Sequence, residues 1–137
     1  MKKLFTAILI LVSVTLFAQQ RNMSVGVVDT KPVFPGCEVK AELDTCFDNS
    51  VKAFINDNFN FEIANALELT TGKHFVHVGF VYNTSGAVEM IRVQGAHPSL
   101  EAEAKRVINL LPAVTPASHE GKKVGVVFNT SIIVTVD

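Results

Sequence analysis

The fifteen residues before the C-terminal Asp137 constrain the fold most, because apolar and polar side chains alternate along them with almost no break. Every second position carries an apolar residue or a threonine, and this set is Val124, Val126, Phe128, Thr130, Ile132, Val134 and Val136. A period of two is the repeat of a β-strand, whose successive side chains point to opposite faces. The pattern therefore predicts one long strand over Lys122–Val136, with an apolar face and a more polar face.

A β-hairpin is predicted upstream of this strand. Residues 73–82 are rich in aromatic and β-branched side chains, which favour strands. Residues 83–86, Asn-Thr-Ser-Gly, have turn chemistry and lead into a second apolar run over residues 87–93. The two runs therefore predict a pair of antiparallel strands joined by this turn.

Two amphipathic segments predict helices. Pro98 opens a stretch with one apolar face, and Pro112 ends it. An earlier apolar stripe over residues 51–59 follows three residues of good N-cap type at 48–50, and a second short helical piece is predicted over residues 63–67. The order helix, hairpin, helix, strand indicates an α+β domain, with a small antiparallel sheet of about three strands and two helices packed on one face.

The N-terminal residues 1–18 have the pattern of a cleavable secretory signal peptide. Lys2 and Lys3 precede an uncharged apolar run over residues 4–17, and Ala18 offers a small residue for cleavage. The alternative is an uncleaved membrane anchor, but a spanning helix needs about 20 apolar residues and polar residues end this run early. We therefore expect an exported protein with no retained membrane anchor.

After the leader, residues 19–47 are expected to be an irregular lead-in, and residues 48–137 the folded domain. The lead-in contains Cys37, and the second cysteine of the chain is Cys46. An even number of cysteines outside the reducing cytosol favours a disulfide, which would stabilise so short a loop by about 2 to 3 kcal/mol. Two buried free thiols are the alternative, and a metal site is less favoured because the neighbouring ligand types are carboxylates.

The sequence carries no motif that predicts catalysis, so we expect no enzyme activity and no cofactor. Candidate metal ligands are the four histidines, His74, His77, His97 and His119. On a strand, His74 and His77 would face opposite sides of the sheet, so they form a poor ligand pair, and a small metal-binding or hydrolytic protein stays a minor alternative. The formal net charge of −1, without a basic block, gives no support to nucleic-acid binding.

The predicted last strand is unusually long, since fifteen residues extend about 50 Å at about 3.4 Å per residue. Either it bends, or part of it overhangs a small sheet and exposes unpaired backbone groups that can accept a strand from a peptide or a second copy. The alternative is that the strand simply lies in the sheet and frays beyond about residue 132. The candidate edge residues are Val124, Val126, Val127, Phe128, Asn129, Thr130, Ser131 and Ile132.

Over residues 61–134, the order of the elements and the residues that begin and end them resemble those of the TonB C-terminal domain family of Gram-negative energy transducers. The residues that carry the resemblance are Gly72, the alternating run at 75–80, Ser85 to Val88 at the hairpin, Leu100-Glu101-x-Glu103-Ala104 at a helix start, Leu111-Pro112 and Gly121-Lys122. The upstream Pro-Val-Phe-Pro-Gly-Cys-Glu at 32–38 is similar to a segment that often precedes this domain in Bacteroidetes-type proteins.

The resemblance implies a small periplasmic domain that binds the TonB box, a peptide segment of TonB-dependent outer-membrane receptors. That peptide adds as a strand beside the last strand of the domain, here between Val124 and Val134. With a cleaved leader in place of a membrane helix, the expected protein is a stand-alone binding module associated with transport across the outer membrane. A homodimer or an envelope assembly formed through the same edge is the alternative.

Overall fold

The computed structural model describes residues 21–39 and 43–137, so the predicted signal peptide lies outside the described residues. These residues form five strands and two α-helices, namely β1 (Asn22–Ser24), α1 (Leu43–Asn58), β2 (Gly72–Tyr82), β3 (Val88–Gln94), α2 (Pro98–Leu110), β4 (Ala117–His119) and β5 (Lys122–Val136). Two short 3-10 segments are Val25–Val27 and Phe61–Ala66. Within the described ranges, no helix has both the length and the apolar character needed to cross a membrane.

The strand order of the sheet is β1-β5-β2-β3, and β4 pairs with β5 as well. The long central pair, β2 and β5, is antiparallel from Gly72 opposite Val136 to Tyr82 opposite Val126. The mixed α+β class is confirmed, but the prediction of about three strands was too low. The two additional strands have three residues each, too few to show a period of two, and they pair only because the tertiary fold brings them to β5.

The lead-in is not irregular throughout, because part of it joins the sheet. β1 runs parallel to β5, with Asn22 opposite Gly125. Further along, Thr30 exchanges two backbone hydrogen bonds of 3.0 Å with Ser118 of β4, and Val33 does the same with Thr115. The segment is therefore part of the folded domain.

Helix α1 begins at Leu43, before the start that the capping residues at 48–50 suggested. The buried stripe of the helix includes Phe47 together with Val51 and Ile55, so the apolar repeat continues through those capping types. Burial of Phe47 outweighs the weaker local preference for a cap at this point. The expected boundary between lead-in and domain at residue 47 therefore falls inside a helix.

The disulfide between Cys37 and Cys46 is confirmed. Their Cα atoms are 5.9 Å apart, and the bond joins the lead-in to the first turns of α1. Nearby, Phe34 is buried and its ring lies 6.5 Å from that of Phe54 on α1. The bond and the ring contact hold the lead-in against the helix.

The core lies on one face of the sheet, beneath the two helices. Even-numbered side chains of β2 and β5 are mostly buried there, while most odd-numbered ones are exposed on the opposite face, which we call the outer face. Phe47 of α1 contacts both strands, since its ring packs edge-on against Tyr82 and Phe128 at 5.9 Å in each case. The period of two therefore separates a helix-covered face from an open one.

Tyr82 is predicted to make the stability of this core fall at alkaline pH. It is the only tyrosine of the chain, it is 1% exposed, and its hydroxyl donates a 3.1 Å hydrogen bond to the carbonyl oxygen of Pro112. Burial raises the pKa of the Tyr82 phenol well above its usual value of about 10. Because only the unfolded chain ionises near that pH, the stability that Tyr82 contributes is present below about pH 10 and lost as the pH rises further.

We expect Tyr82→Phe to cost about 1 kcal/mol near neutral pH, through the lost hydrogen bond, and to lose less stability than the unaltered protein on going to about pH 11. Urea unfolding of both proteins at the two pH values measures the difference. The lysines titrate equally in both, so they cancel in the comparison. Equal losses at high pH would contradict the role given to Tyr82.

Candidate binding edge and outer-face groove

The two sides of β5 have different partners. One side pairs with β2 along nearly its whole length. β4 pairs with Lys122 to Val124, which β2 does not reach, and on the other side of β5 from β2, β1 pairs with Gly125 to Val127. Among the described residues, no strand pairs with this second side over residues 128–136, which we call the open edge.

The predicted edge residues divide at this boundary. Val126 and Val127 pair with β1 on that side and with β2 on the other, so the prediction that these two residues belong to a free edge is corrected. Val124 pairs with Ala117 of β4. Phe128, Asn129, Thr130, Ser131 and Ile132 lie on the open edge. The short upstream strand β1 covers the part of this side that precedes Phe128, and its three residues are too few to show a sequence pattern.

The open edge also extends further than the candidate residues. Pairing with β2 continues to Val136 opposite Gly72, so the strand does not fray beyond Ile132. Residues 133–136 are therefore part of the edge, and the signal for them was the alternation that runs on to Val136. The full open edge has nine residues and extends about 30 Å at about 3.4 Å per residue.

Side chains along the open edge follow the two faces of the sheet. Ile132 and Val134 are each 1% exposed and lie in the core. On the outer face, Ile133 is 48% exposed and lies opposite Phe75, which is 47% exposed. The open edge thus presents backbone groups beside an exposed apolar pair, while its core side chains stay covered.

A groove of about 790 Å³ crosses the outer face beside this apolar pair. Its centre is Gly79 of β2, which lies between Asn129 of β5 and Arg92 of β3. A Cβ atom at Gly79 would come within 2.6 Å of Asn129 Oδ1, so the missing side chain makes room for the amide. A glycine inside an alternating strand is a sequence signal for such a close approach, although Gly79 was not among the predicted site residues.

A β-bulge forms one wall of the groove. The register between β2 and β3 shifts between Gly79 and Val81, and Met90 on β3 has a positive φ of 54°. The bulge leaves the Met90 side chain 55% exposed, with its sulfur 3.9 Å from Nδ2 of Asn22. Bulges of this kind redirect side chains beside functional sites.

The polar side chains of the groove are held in different ways. His77 Nδ1 and Ser131 Oγ share a 2.7 Å hydrogen bond across β2 and β5, and the ring of Phe75 stacks on His77 at 6.2 Å. Arg92 has no acidic partner within the described ranges. The acid nearest to it along β3, Glu89, accepts a 3.2 Å hydrogen bond from Asn83 and does not line the groove.

The remaining histidines have separate local contacts. His74 Nε2 lies 2.6 Å from the carbonyl oxygen of Thr70, and His97 Nδ1 accepts from the backbone N–H of Ser99 at the start of α2. His119 Nδ1 lies 3.3 Å from a carboxylate oxygen of Asp29. Over residues 21–39 and 43–137, no group of three or more histidine, cysteine or acidic side chains is placed to hold a metal ion.

Comparisons of the chain with protein-family models, with curated proteins and with solved structures give no match. The resemblance to the TonB C-terminal domain family therefore stays a prediction from sequence motifs. The geometry itself offers two surfaces of different chemistry. The open edge presents main-chain donors and acceptors, and the outer-face groove presents polar side chains.

Proposed function

We propose that this protein is an exported periplasmic binding module that takes up an extended peptide of an outer-membrane receptor, or of another envelope protein, by β-strand addition. The observation that carries the proposal is the open edge, nine residues of β5 that pair with β2 on one side and have no strand partner on the other side among the described residues. In strand addition, main-chain hydrogen bonds supply affinity, and alternate side chains supply specificity. The predicted resemblance to the TonB C-terminal domain family supports use of the same strand.

The composition of the open edge favours a binding role. Proteins usually protect exposed edges with lysine, proline, a bulge or a very short strand. Residues 128–136 read Phe-Asn-Thr-Ser-Ile-Ile-Val-Thr-Val, with no charge and no proline. An unprotected edge of this length is a ready template for pairing with another strand, so a partner strand accounts for it.

The open edge is also held in a fixed geometry. β2 pairs with the other side of the strand as far as Val136, and the inward side chains of Phe128, Ile132 and Val134 are buried. A strand that is already ordered loses little conformational entropy when a peptide pairs with it. The proposed activity is binding alone, with no catalytic step and no cofactor, and it is associated with TonB-dependent transport.

A titration of the exported protein with a TonB-box peptide tests the proposal by nitrogen-15 NMR and amide hydrogen exchange. We expect every second amide over residues 128–136 to exchange rapidly in the free protein and to become protected when the peptide binds. The matched ligand is the same peptide methylated at alternate backbone nitrogens, which removes the donors that face the strand. We expect that peptide to bind about tenfold more weakly or worse.

A pair of matched variants locates the site. Ile133→Lys places a charge on the open edge, and Met90→Lys makes a similar change at an equally exposed apolar residue of β3. We expect the first to weaken peptide binding about tenfold and the second to leave it nearly unchanged.

The outcomes separate the readings. Peptide shifts confined to β3 or the helices, or no binding, would contradict strand addition at β5. Slow amide exchange along the open edge of the free protein, together with a dimeric mass, would contradict peptide binding and favour a homodimer.

A further inference from the structure

We infer that the outer-face groove is a second binding site, which takes a small organic anion through a carboxylate held by the guanidinium of Arg92. This inference goes beyond peptide binding at the open edge, because it uses side chains on the outer face in place of the backbone of β5. It rests on the shape, the charge and the construction of the groove.

The shape fits a small ligand. The volume of about 790 Å³ lies within the range of about 300 to 1,000 Å³ that is common for small-molecule sites. Gly79 of β2 lies at the centre of the groove. Its neighbour on β5 is Asn129, and its neighbour on β3 is Arg92. The Asn129 amide lies over Gly79, with its Oδ1 2.6 Å from where a Cβ atom would be, so this amide and the Arg92 side chain are the polar groups at the centre of the groove.

The charge fits an anion. The lining contains Arg92 and His77 and no aspartate or glutamate, and its other polar groups are amides and hydroxyls. Within the described part of the chain, Arg92 has no hydrogen-bonded or ion-paired partner that would compete with a ligand. The planar guanidinium fork matches the two oxygens of a carboxylate and can bind both at once.

The apolar part of the lining indicates an organic anion and not a bare inorganic one. Val81 is only 4% exposed although it lies on the outer face, and Val127 lies opposite it on β5. The bulge adds the side chain of Met90 to the same end of the groove. Apolar side chains at one end and a guanidinium beside Gly79 match a short hydrocarbon chain that carries a carboxylate.

The groove is also constructed at a conformational cost. Met90 adopts a positive φ of 54°, a backbone conformation that residues other than glycine rarely take. Such strained positions cluster at ligand sites. A Cβ atom at Gly125 would overlap Oδ1 of Asn22, so this glycine lets the lead-in place an amide against the sheet. Gly79 and Met90 thus line the groove, and Gly125 makes room for the amide of Asn22, which also lines it.

Isothermal titration of the purified exported protein with hexanoate, hexanamide and inorganic phosphate tests the inference. Hexanamide has nearly the same shape as hexanoate without its charge, and phosphate has charge without the hydrocarbon chain. We expect hexanoate to bind at least about tenfold more tightly than either. NMR shifts on hexanoate binding are expected at Gly79, Arg92 and Asn129.

Arg92→Gln is the decisive variant, and Lys73→Gln is its control, because Lys73 is an exposed cation on the same face outside the groove lining. We expect the first to weaken hexanoate binding about tenfold and the second to change it less than about twofold. Both residues are exposed, and circular dichroism verifies that both variants fold.

Equal weakening by the two variants would overturn the site, as would equal binding of hexanamide or phosphate, or no binding of hexanoate at about 10 mM. Failure of the peptide titration at the open edge would leave these outcomes unchanged, so the two proposals fail separately.

Discussion

Replacing Gly86 by alanine is expected to lower the free energy of unfolding by more than about 3 kcal/mol, a large part of the stability of a small domain. Gly86 has φ +81°, a conformation that costs other residues about 1 to 2 kcal/mol. In addition, the new Cβ would overlap the carbonyl oxygen of Val114. The backbone cannot simply move aside, because the N–H of Val114 donates a 2.9 Å hydrogen bond to the carbonyl oxygen of Gly86.

Gly121 offers a matched control. Its φ of +74° is similar, but nothing lies within 4 Å of the position where a Cβ would be added. Gly121→Ala is therefore expected to cost only the backbone strain, about 1 to 2 kcal/mol. Urea unfolding followed by circular dichroism measures the stability of both variants. Equal losses of stability would show that the close approach to Val114 makes no separate contribution.

Replacing Phe47 by alanine is expected to cost about 3 to 5 kcal/mol. Its side chain is fully buried and lies between α1 and the central strands, with edge-on contacts to Tyr82 and Phe128. Truncation removes the apolar surface and both ring contacts, and it leaves a cavity that the disulfide-bonded helix start can close only in part.

The control for Phe47 is Phe75→Ala, the same chemical change at an outer-face residue that is 47% exposed. We expect it to cost less than about 1 kcal/mol, because much of the ring is already in contact with water. The same urea measurement decides the comparison. A loss at Phe75 as large as that at Phe47 would mean that the outer face contributes to the core, contrary to the division described for this sheet.

Sequence periodicity alone determined the elements whose signal is local. The alternation over Lys122–Val136 predicted β5 with its observed bounds, and the turn chemistry at residues 83–86 predicted the hairpin of β2 and β3. Helix α2 was predicted from its apolar face and the proline that opens it. The pairing of Cys37 with Cys46 followed from the inferred compartment, and it is present. The signals for the strands and the helix depend on residues close together in the chain, and burial of their apolar side chains favours the same periodicity.

Only the tertiary structure decided which surfaces of β5 remain open. β1 is too short to show any repeat, yet it pairs with Gly125 to Val127 on one side of β5 and leaves residues 128–136 without a partner on that side. The groove has the same origin, since Gly79, Arg92 and Asn129 meet only through the registers of three strands. Strand register is set by the burial of one whole face against the helices, which is a property of all the elements together. The sequence therefore determined that there is a long strand, and the packing determined what that strand presents to a partner.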